Sequence, residues 1–458
     1  MINSISGVQN LRTFYETGAT LSYHFRKKQL ELFLKAITKY DDEINAALFA
    51  DLKKSREESW ATETGLLVAE IKNAIKNLGK WMKPKRVSTG LVTFPSSGKI
   101  YCDPLGVVLI IAPWNYPLQL LLIPLVGAMA GGNCAMLKPS EIAPATEKVI
   151  VKIIEETFPE NYIKVITGNG AEIVPEMINN FRFDHIFYTG STTVGKEIYK
   201  LAAKDLVPVT LELGGKSPCI VYEDADIKVA AKRIILGKFL NAGQTCIAPD
   251  YILVHESKKE NLLIELKDAI QNFYSNDPSS SADYGKIINA SRFKKLCSYL
   301  SGNNIFYGGK TDEASLYIEP TILINISMND AVMKEEIFGP ILPVLSFIKT
   351  ADAMQMVKQN ENPLAFYLFT KDKNIEQEWM KKIPFGGGCI NNTVWHFAND
   401  KFPFGGIGNS GMGAYHGRNT FNVFTHAKPV LKTSALIDPS LKYPPFKGKL
   451  KWFKKLIG

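Results

Sequence analysis

A chain of 458 residues, 46% of them hydrophobic and 22% charged, has the composition of a soluble globular protein with enough apolar material for two or three domains. Its formal charge of +9 would suit an anionic partner, yet six lysines lie between Lys442 and Lys455, so the excess sits at the C-terminus and the body is nearly neutral. No nucleic-acid-binding motif accompanies that charge, and no nucleic-acid partner is expected. Cys102, Cys134, Cys219, Cys246, Cys297 and Cys389 show neither metal-ligand spacing nor the density of a secreted disulfide framework. Free thiols, no metal and a cytoplasmic location are therefore expected, and the N-terminal stretch MINSISGVQNLRTFYETGAT lacks the apolar core and cleavage site of a signal peptide.

From Gly18 to about Trp81, apolar residues at three- and four-residue spacings, such as Leu30, Phe33, Leu34 and Ile37, predict helices, which Pro84 ends. Between Arg86 and Asp103, Thr, Val, Phe and Tyr broken by Gly90, Pro95 and Gly98 predict strands projecting as an arm suited to oligomerisation. Short apolar runs then alternate with helical stretches: Gly106 to Ala112, then Leu118 to Ala130; Cys134 to Lys138, then Thr146 to Phe158; Tyr162 to Thr167, before a helix; His185 to Tyr188, then Val194 to Ala203. That alternation predicts a parallel, doubly wound α/β sheet. Leu118 to Ala130 is strongly apolar, but Pro124 interrupts it and it falls short of the ~20 residues of a membrane span, so a buried helix is expected. After Glu212 the alternation resumes, with a helix near Ile227 to Asn241, a strand at Tyr251 to His255 and a helix from Lys258, predicting a second α/β domain.

Several segments carry side chains suited to chemistry. In APWNYP, Pro113 and Pro117 restrict the loop around Asn115, whose amide could donate to a developing oxyanion or simply belong to a turn. In LKPSE a strand ends at Lys138, and Lys138 and Glu141 could bond ribose hydroxyls or form a charged surface turn. GNGAEI at 168–173 matches only two glycines of the common dinucleotide fingerprint. TGSTTVGK, from Thr189 to Lys196, joins a strand to a helix start, where backbone N–H groups and the helix dipole suit a pyrophosphate, although Ser191 and Thr192 are also ordinary capping residues. Glu212 in TLELGGKSP ends a β-type run before two glycines; burial there would make it a general base, whereas a partner would make it a structural ion pair. Cys246 in NAGQTCIAPD follows a helical stretch in a small, polar turn, a setting that suits a nucleophile more than an inert core thiol, though a lone cysteine is commonly structural. In EEIFGP, Glu336 and Phe338 are expected to alternate along an extended stretch and share a face, with Phe338 also acceptable as core.

The ordered set APWNYP, LKPSE, YTGSTTVG, LELGGK, GQTC and EEIFGP resembles the aldehyde dehydrogenase superfamily over about Tyr15 to Thr425, and the ending PFGGIGNSGMGAYHG resembles its class 3 branch, which includes fatty- and aromatic-aldehyde enzymes. The resemblance implies an α/β fold of two doubly wound domains plus a small β oligomerisation arm: a dinucleotide-binding domain from 1–83 and 104–211, a catalytic domain from 212–393, an arm from 84–103 and 394–430, and a basic tail from 431–458. It further implies NAD- or NADP-dependent oxidation of medium- or long-chain aliphatic or aromatic aldehydes to acids by a homodimer. Residue by residue, it implies that Cys246 attacks the aldehyde while Asn115 and the Cys246 N–H hold the oxyanion, and that Glu212 activates water against the thioester. Glu336 and Phe338 would hold the nicotinamide ribose and ring; Trp114, Lys138, Glu141, Gly190, Ser191 and Gly195 complete the expected cofactor site, and Tyr116, Thr245 and Trp395 the substrate site. In NNTVWH, 391–396, Trp395 is bulkier than the family pattern at the expected tunnel mouth. The tail YPPFKGKLKWFKKLIG lacks the long apolar anchor of membrane-bound relatives, but Leu450, Phe453 and Ile457 at helical spacing among lysines suit docking on the protein itself or weak contact with an anionic membrane. The alternatives are an acylating, coenzyme A-dependent relative, which Glu212 argues against, a thiol esterase, and an inactive relative with a binding role.

Overall fold

The apolar runs Val107–Ile111, Cys134–Lys138 and His185–Thr189 are buried along their whole length, as parallel strands covered on both faces must be. In the computed structural model, which describes residues 2–302 and 304–457 with side chains from Gly7 onward, these three strands form the centre of a six-stranded sheet. From one edge its order is Gly411–Met412, Val209–Glu212, His185–Thr189, Val107–Ile111, Cys134–Lys138 and Ile163–Val165, all parallel except the antiparallel Gly411–Met412. Successive strands step outward from Val107–Ile111 to Ile163–Val165, and the chain then returns to the other side at His185–Thr189. The order therefore reverses beside Val107–Ile111, and in open α/β sheets a ligand crevice opens beyond the carboxyl ends at such a reversal.

The helix Gln119–Gly131 covers this sheet and every one of its residues is buried. Pro124 lies inside the helix and does not interrupt it. Its missing N–H leaves one carbonyl without the usual helical partner, but packing against the helices Gly65–Met82 and Arg418–Val423 keeps the run continuous. Gly127 allows the second contact, because a Cβ there would collide with the Thr420 side chain.

A second sheet of seven strands runs in the order Asn304–Tyr307, Thr321–Ile324, Ile341–Phe347, Tyr251–His255, Pro218–Val221, Ala365–Phe369 and Gly387–Ile390. Only Asn304–Tyr307 is antiparallel. Pro218–Val221 is a strand the apolar alternation did not predict; it is four residues long and begins with a proline, which needs no ladder N–H at that end.

The arm is a three-stranded antiparallel sheet of Lys85–Val87, Ser96–Pro104 and Thr425–Thr433. The stretch 394–430 was expected in the arm, but only its part from Thr425 joins that sheet, and the strand continues to Thr433, beyond the expected start of the tail. Upstream, Phe404, Tyr415, Phe421 and Phe424 are buried, and this apolar load draws 394–424 onto the two sheets. The tail ends in the helix Leu450–Ile457, which buries no residue and lies beside the arm turn Leu91–Thr93. Among the described residues, no helix is long and apolar enough to cross a membrane.

Candidate active site

Cys246 follows an unusual turn. Asn241, Ala242 and Gly243 all have positive φ, and a Cβ on Gly243 would run into the carbonyl of Gly339. Non-glycine residues held in that region mark a conformation over-determined by its surroundings. Here the surroundings are hydrogen bonds: Gln244 Nε2 donates to the carbonyls of Asn241 (3.1 Å) and Lys286 (3.0 Å), and its Oε1 accepts from the Ile288 N–H at 3.0 Å. The thiol of Cys246 is thereby fixed in a cavity of about 210 Å³ that Tyr116, Thr189, Glu212, Thr245, Trp395 and Tyr415 also line. Most of the remaining wall is apolar, including Leu120, Leu236, Leu240 and Phe397. Trp395 is 58% exposed, which puts it at the mouth.

Burial pushes the Cys246 thiol well above its ordinary value, and the carboxylates of Glu336 and Glu212 push it further; the backbone N–H groups of Cys246 and Ile247 offset only part of this. Burial, not the polar turn, therefore sets the resting state of the sulfur. Burial disfavours the ionised sulfur above all, so it rests as a thiol until an acceptor takes its proton. Glu212 ends the strand Val209–Glu212, is buried, and has no hydrogen-bond partner on either carboxyl oxygen among the described residues. Burial alone raises its pKa well above the carboxylate range, as a general base requires. The ion-pair alternative does not hold.

Asn115 is buried, and its Nδ2 donates to the Gln244 carbonyl at 3.0 Å, so one amide hydrogen is committed to the cysteine loop and the other is free. Its own carbonyl accepts from Asn241 Nδ2 at 2.8 Å and from Lys54 Nζ at 3.2 Å. Tyr116 OH and Thr245 Oγ1 are 2.6 Å apart, which ties the two loops together on the cavity side.

The support behind these loops was not apparent in the sequence. Lys54 Nζ and Glu63 Oε1 form a fully buried ion pair at 2.6 Å, and Glu63 Oε2 accepts the N–H groups of Leu118 (2.9 Å) and Gln119 (3.3 Å). A carboxylate there satisfies orphan donors and the dipole of the helix Gln119–Gly131. Glu63 is brought into place by a π-helical turn, Trp60–Thr64, a wide-turn geometry common at functional sites. Lys216, in LELGGK, plays the matching part on the other side. Its Nζ bonds Asp250 Oδ2 (2.5 Å) and the carbonyls of Val332 and Glu335 (2.9 Å each), while Asp250 Oδ1 accepts from the Ile337 N–H at 3.0 Å, so the two hold the segment that carries Glu336. Buried polar side chains bonding distant backbone leave no periodic signal; only their presence beside motifs could have flagged them.

Glu336 and Phe338 do not alternate along an extended stretch, because Phe338 has φ +51° and turns the chain. Phe338 still faces the site: its ring meets Trp114 edge-on at 5.3 Å. Burial, with Asp250 nearby, raises Glu336 to about 8. Gly214 is required beside it, since a Cβ there would collide with Glu336 Oε2.

The remaining residues lie at the carboxyl ends of the six-stranded sheet, apart from the thiol cavity. Lys138 is only 2% exposed, so LKPSE is no surface turn; its Nζ bonds the Pro139 carbonyl at 2.6 Å and Glu141 Oε2 at 2.8 Å. Burial raises the Glu141 carboxyl, but the hydrogen bonds from Lys138 and the Gly170 N–H outweigh it and hold the group below its ordinary value. Asn169 of GNGAEI caps the helix Gly170–Asn180 by accepting from the Ala171 N–H. Ser191 caps the helix Thr192–Ala203, accepting from the Val194 N–H, and Gly190 and Gly195 pack closely on Tyr188 and Leu213, where side chains would collide. This helix start is open to solvent beside the strand reversal, and it leaves backbone donors free for an anion. A dinucleotide fits this arrangement: the sheet supplies the crevice, the helix start the phosphate donors, and the Lys138–Glu141 pair polar groups at a strand end.

The profile of the aldehyde dehydrogenase family matches residues 8–430. The chain is 48% identical to 4,4'-diaponeurosporen-aldehyde dehydrogenase of Staphylococcus aureus (strain NCTC 8325 / PS 47), covering 97% of this chain and 96% of that protein. It is 41% identical to aldehyde dehydrogenase family 3 member A2 of Macaca fascicularis, covering 98% and 92%. Among solved structures, the substrate-bound state of Staphylococcus aureus AldH superposes with a TM-score of 0.97 at 46% identity, covering all of both chains.

Proposed function

Because the chain belongs to the aldehyde dehydrogenase family, and is class 3-like within it, we propose that this enzyme oxidises apolar medium- or long-chain aliphatic or aromatic aldehydes to carboxylic acids through a thioester on Cys246. One observation carries the reading: the Cys246 thiol and the unpartnered Glu212 carboxylate share a single apolar cavity, with Asn115 fixed against the loop that bears the sulfur.

The aldehyde enters past Trp395 and lies against the apolar wall. Glu212, with both oxygens free, takes the thiol proton, and the sulfur adds to the carbonyl carbon. The free Nδ2 hydrogen of Asn115 and the Cys246 N–H receive the oxyanion; one such donor typically lowers the barrier by ~3 kcal/mol. Thr245 and Tyr116, held to each other, line the approach. Family members use NAD or NADP, and a bound nicotinamide dinucleotide supplies the acceptor for the hydride that leaves the adduct carbon. Trp114, Glu336 and Phe338 would orient its nicotinamide end, Gly190, Ser191 and Gly195 its pyrophosphate, and Lys138 and Glu141 its adenosine ribose. The ionised Glu141 would repel a 2′-phosphate, favouring NAD, while Lys138 offsets part of that repulsion. Once the thiol proton has left, Glu212 deprotonates a water that attacks the thioester; the acid departs, and the released thiolate takes the proton back from Glu212 to restore the resting thiol. The assembly is a homodimer built through the arm, and the enzyme works in the cytoplasm.

Glu212 argues against transfer of the acyl group to coenzyme A, because that route needs no base for water. The expected result is reduction of NAD or NADP by the purified protein given an apolar aldehyde, abolished in Cys246→Ala with folding retained. In Glu212→Gln, acylation should slow for want of its base, and mass spectrometry should find the acyl group that does form stalled on Cys246. A wild-type protein inert with both dinucleotides across short, long and aromatic aldehydes would overturn the assignment.

A further inference from the structure

The proton that Glu212 takes from the Cys246 thiol must leave before Glu212 can activate water, and Glu212 has no hydrogen-bonded neighbour among the described residues to receive it. A second cavity, of about 150 Å³, lies beside the first and shares Leu66, Phe397 and Ala398 with it. The partition between them is the dipeptide Tyr415–His416: Tyr415 lines the thiol cavity, His416 lines the second, and their rings meet edge-on at 4.5 Å. Tyr415 is fully buried, and its hydroxyl, like the His416 Nε2, has no hydrogen-bond partner among the described residues. On the wall of the second cavity is Glu70, buried on the helix Gly65–Met82, whose Oε1 accepts the Gly417 N–H at 3.0 Å and the Thr420 hydroxyl at 3.3 Å. The exposed Ala398 and Asp400 form the solvent side of this cavity. His416 has φ +86°, a conformation that non-glycine residues keep only when their surroundings impose it.

We propose that the second cavity is the proton exit of the active site: the proton that Glu212 takes from the Cys246 thiol passes, before water is activated, by way of the Tyr415 hydroxyl to the Glu70 carboxylate and leaves from there to solvent. The inference rests on Glu212 as the base for the thiol and then for water. A buried hydroxyl with no fixed partner can accept and donate in turn, through bridging water where the gap requires it. The end of the route must release its proton near neutral pH. Burial raises Glu70 to about 7, with Asp400 adding to the rise and the bonds from Thr420 and Gly417 restraining it. Besides the exposed Asp400 at its solvent side, His416 faces this cavity and is held neutral, lowered to about 3 by burial and by the adjacent His396. Glu70 is therefore the group there that titrates where the enzyme works.

The test is the decay of the acyl-enzyme, followed by rapid quench at pH 7, in Glu70→Gln, which keeps both accepted hydrogen bonds, and in Tyr415→Phe, which removes only the hydroxyl. The expected result is an unchanged first burst of reduced dinucleotide, because acylation is intact, followed by roughly tenfold slower decay in both variants. Imidazole in the buffer, a small proton carrier, should restore decay in Glu70→Gln. Decay at the wild-type rate in both variants, or slow decay that imidazole leaves unchanged, would overturn the exit route. Should Glu212→Gln itself decay normally, the reading of Glu212 as base fails; stalled Glu212→Gln with normal Glu70→Gln removes only the exit.

Discussion

Lys54 and Glu63 lie at no recognisable motif, yet the loop that presents Asn115 hangs from them. Both side chains are fully buried, and burial raises the Glu63 pKa even though Lys54 sits against it, so desolvation outweighs the contact for this carboxyl group. Lys54→Met would leave the carboxylate buried without its counter-charge, and breaking such a pair typically costs about 3–5 kcal/mol. Urea unfolding should show that loss, and activity should fall further than stability explains, because Asn115 loses one of the two donors that hold its carbonyl. The double variant Lys54→Met, Glu63→Gln should recover much of the stability, since an uncharged amide is cheaper to bury than an unpaired carboxylate. Equal stability of the two variants would remove the pair from this role. The residues that react were legible for a different reason. Cys246, Glu212 and Asn115 occur in short strings with prolines and glycines around them, whereas the residues that hold them bond backbone far away in the chain.

At the scale of elements, periodicity predicted the continuous runs well, and Cys134–Lys138 and Tyr251–His255 fall where the apolar stretches begin and end. It failed where local pattern and tertiary demand part company. Pro124 is tolerated because neighbouring helices hold Gln119–Gly131 together, and 394–424 joins the core through four buried aromatic rings that have no regular spacing. The arm was recognisable from its turn residues, but its third strand, Thr425–Thr433, comes from the far end of the chain and could not be paired from sequence. That strand bonds Ser96–Pro104 along its whole length on one side and leaves its other edge open. An open edge with exposed Val430 and Leu431, in an arm that also exposes Leu91, Val92 and Phe94, is a surface proteins usually cover. If the homodimer forms here, Leu431→Lys combined with Val92→Lys should shift sedimentation toward the monomer while the circular dichroism of each chain is kept. A variant that sediments as wild type would rule out a dimer contact on this edge.

For the molecule as a whole, buried titratable groups set opposing slopes of stability against pH. Burial lowers His185 to about 4, and His416, with His396 beside it, to about 3, against an ordinary 6.5. The folded state therefore binds fewer protons than the unfolded chain below pH 6.5, so this contribution is complete above 6.5 and is lost as pH falls toward 4. Glu70, near 7, and Glu336, near 8, behave oppositely: raised from 4.5 by burial, they are protonated in the folded state first, and their contribution, complete below 4.5, is lost as pH rises through 7 to 8. For His185 the displacement from 6.5 to about 4 amounts to roughly 3 kcal/mol, at about 1.4 kcal/mol per tenfold. The two slopes oppose each other between 4.5 and 6.5, so the ligand-free protein should be most stable there and weaken on both sides. Urea midpoints from pH 4 to 9 would trace this shape. His185→Asn should flatten the acid limb and Glu336→Gln the alkaline one, each without moving the other. A midpoint rising steadily to pH 9 would mean that other groups govern stability. The alkaline limb carries the functional point: a site that buries Glu336 and Glu212 loses stability at the pH where its base must lose a proton, so the apolar cavity that suits an apolar aldehyde is bought with folding free energy.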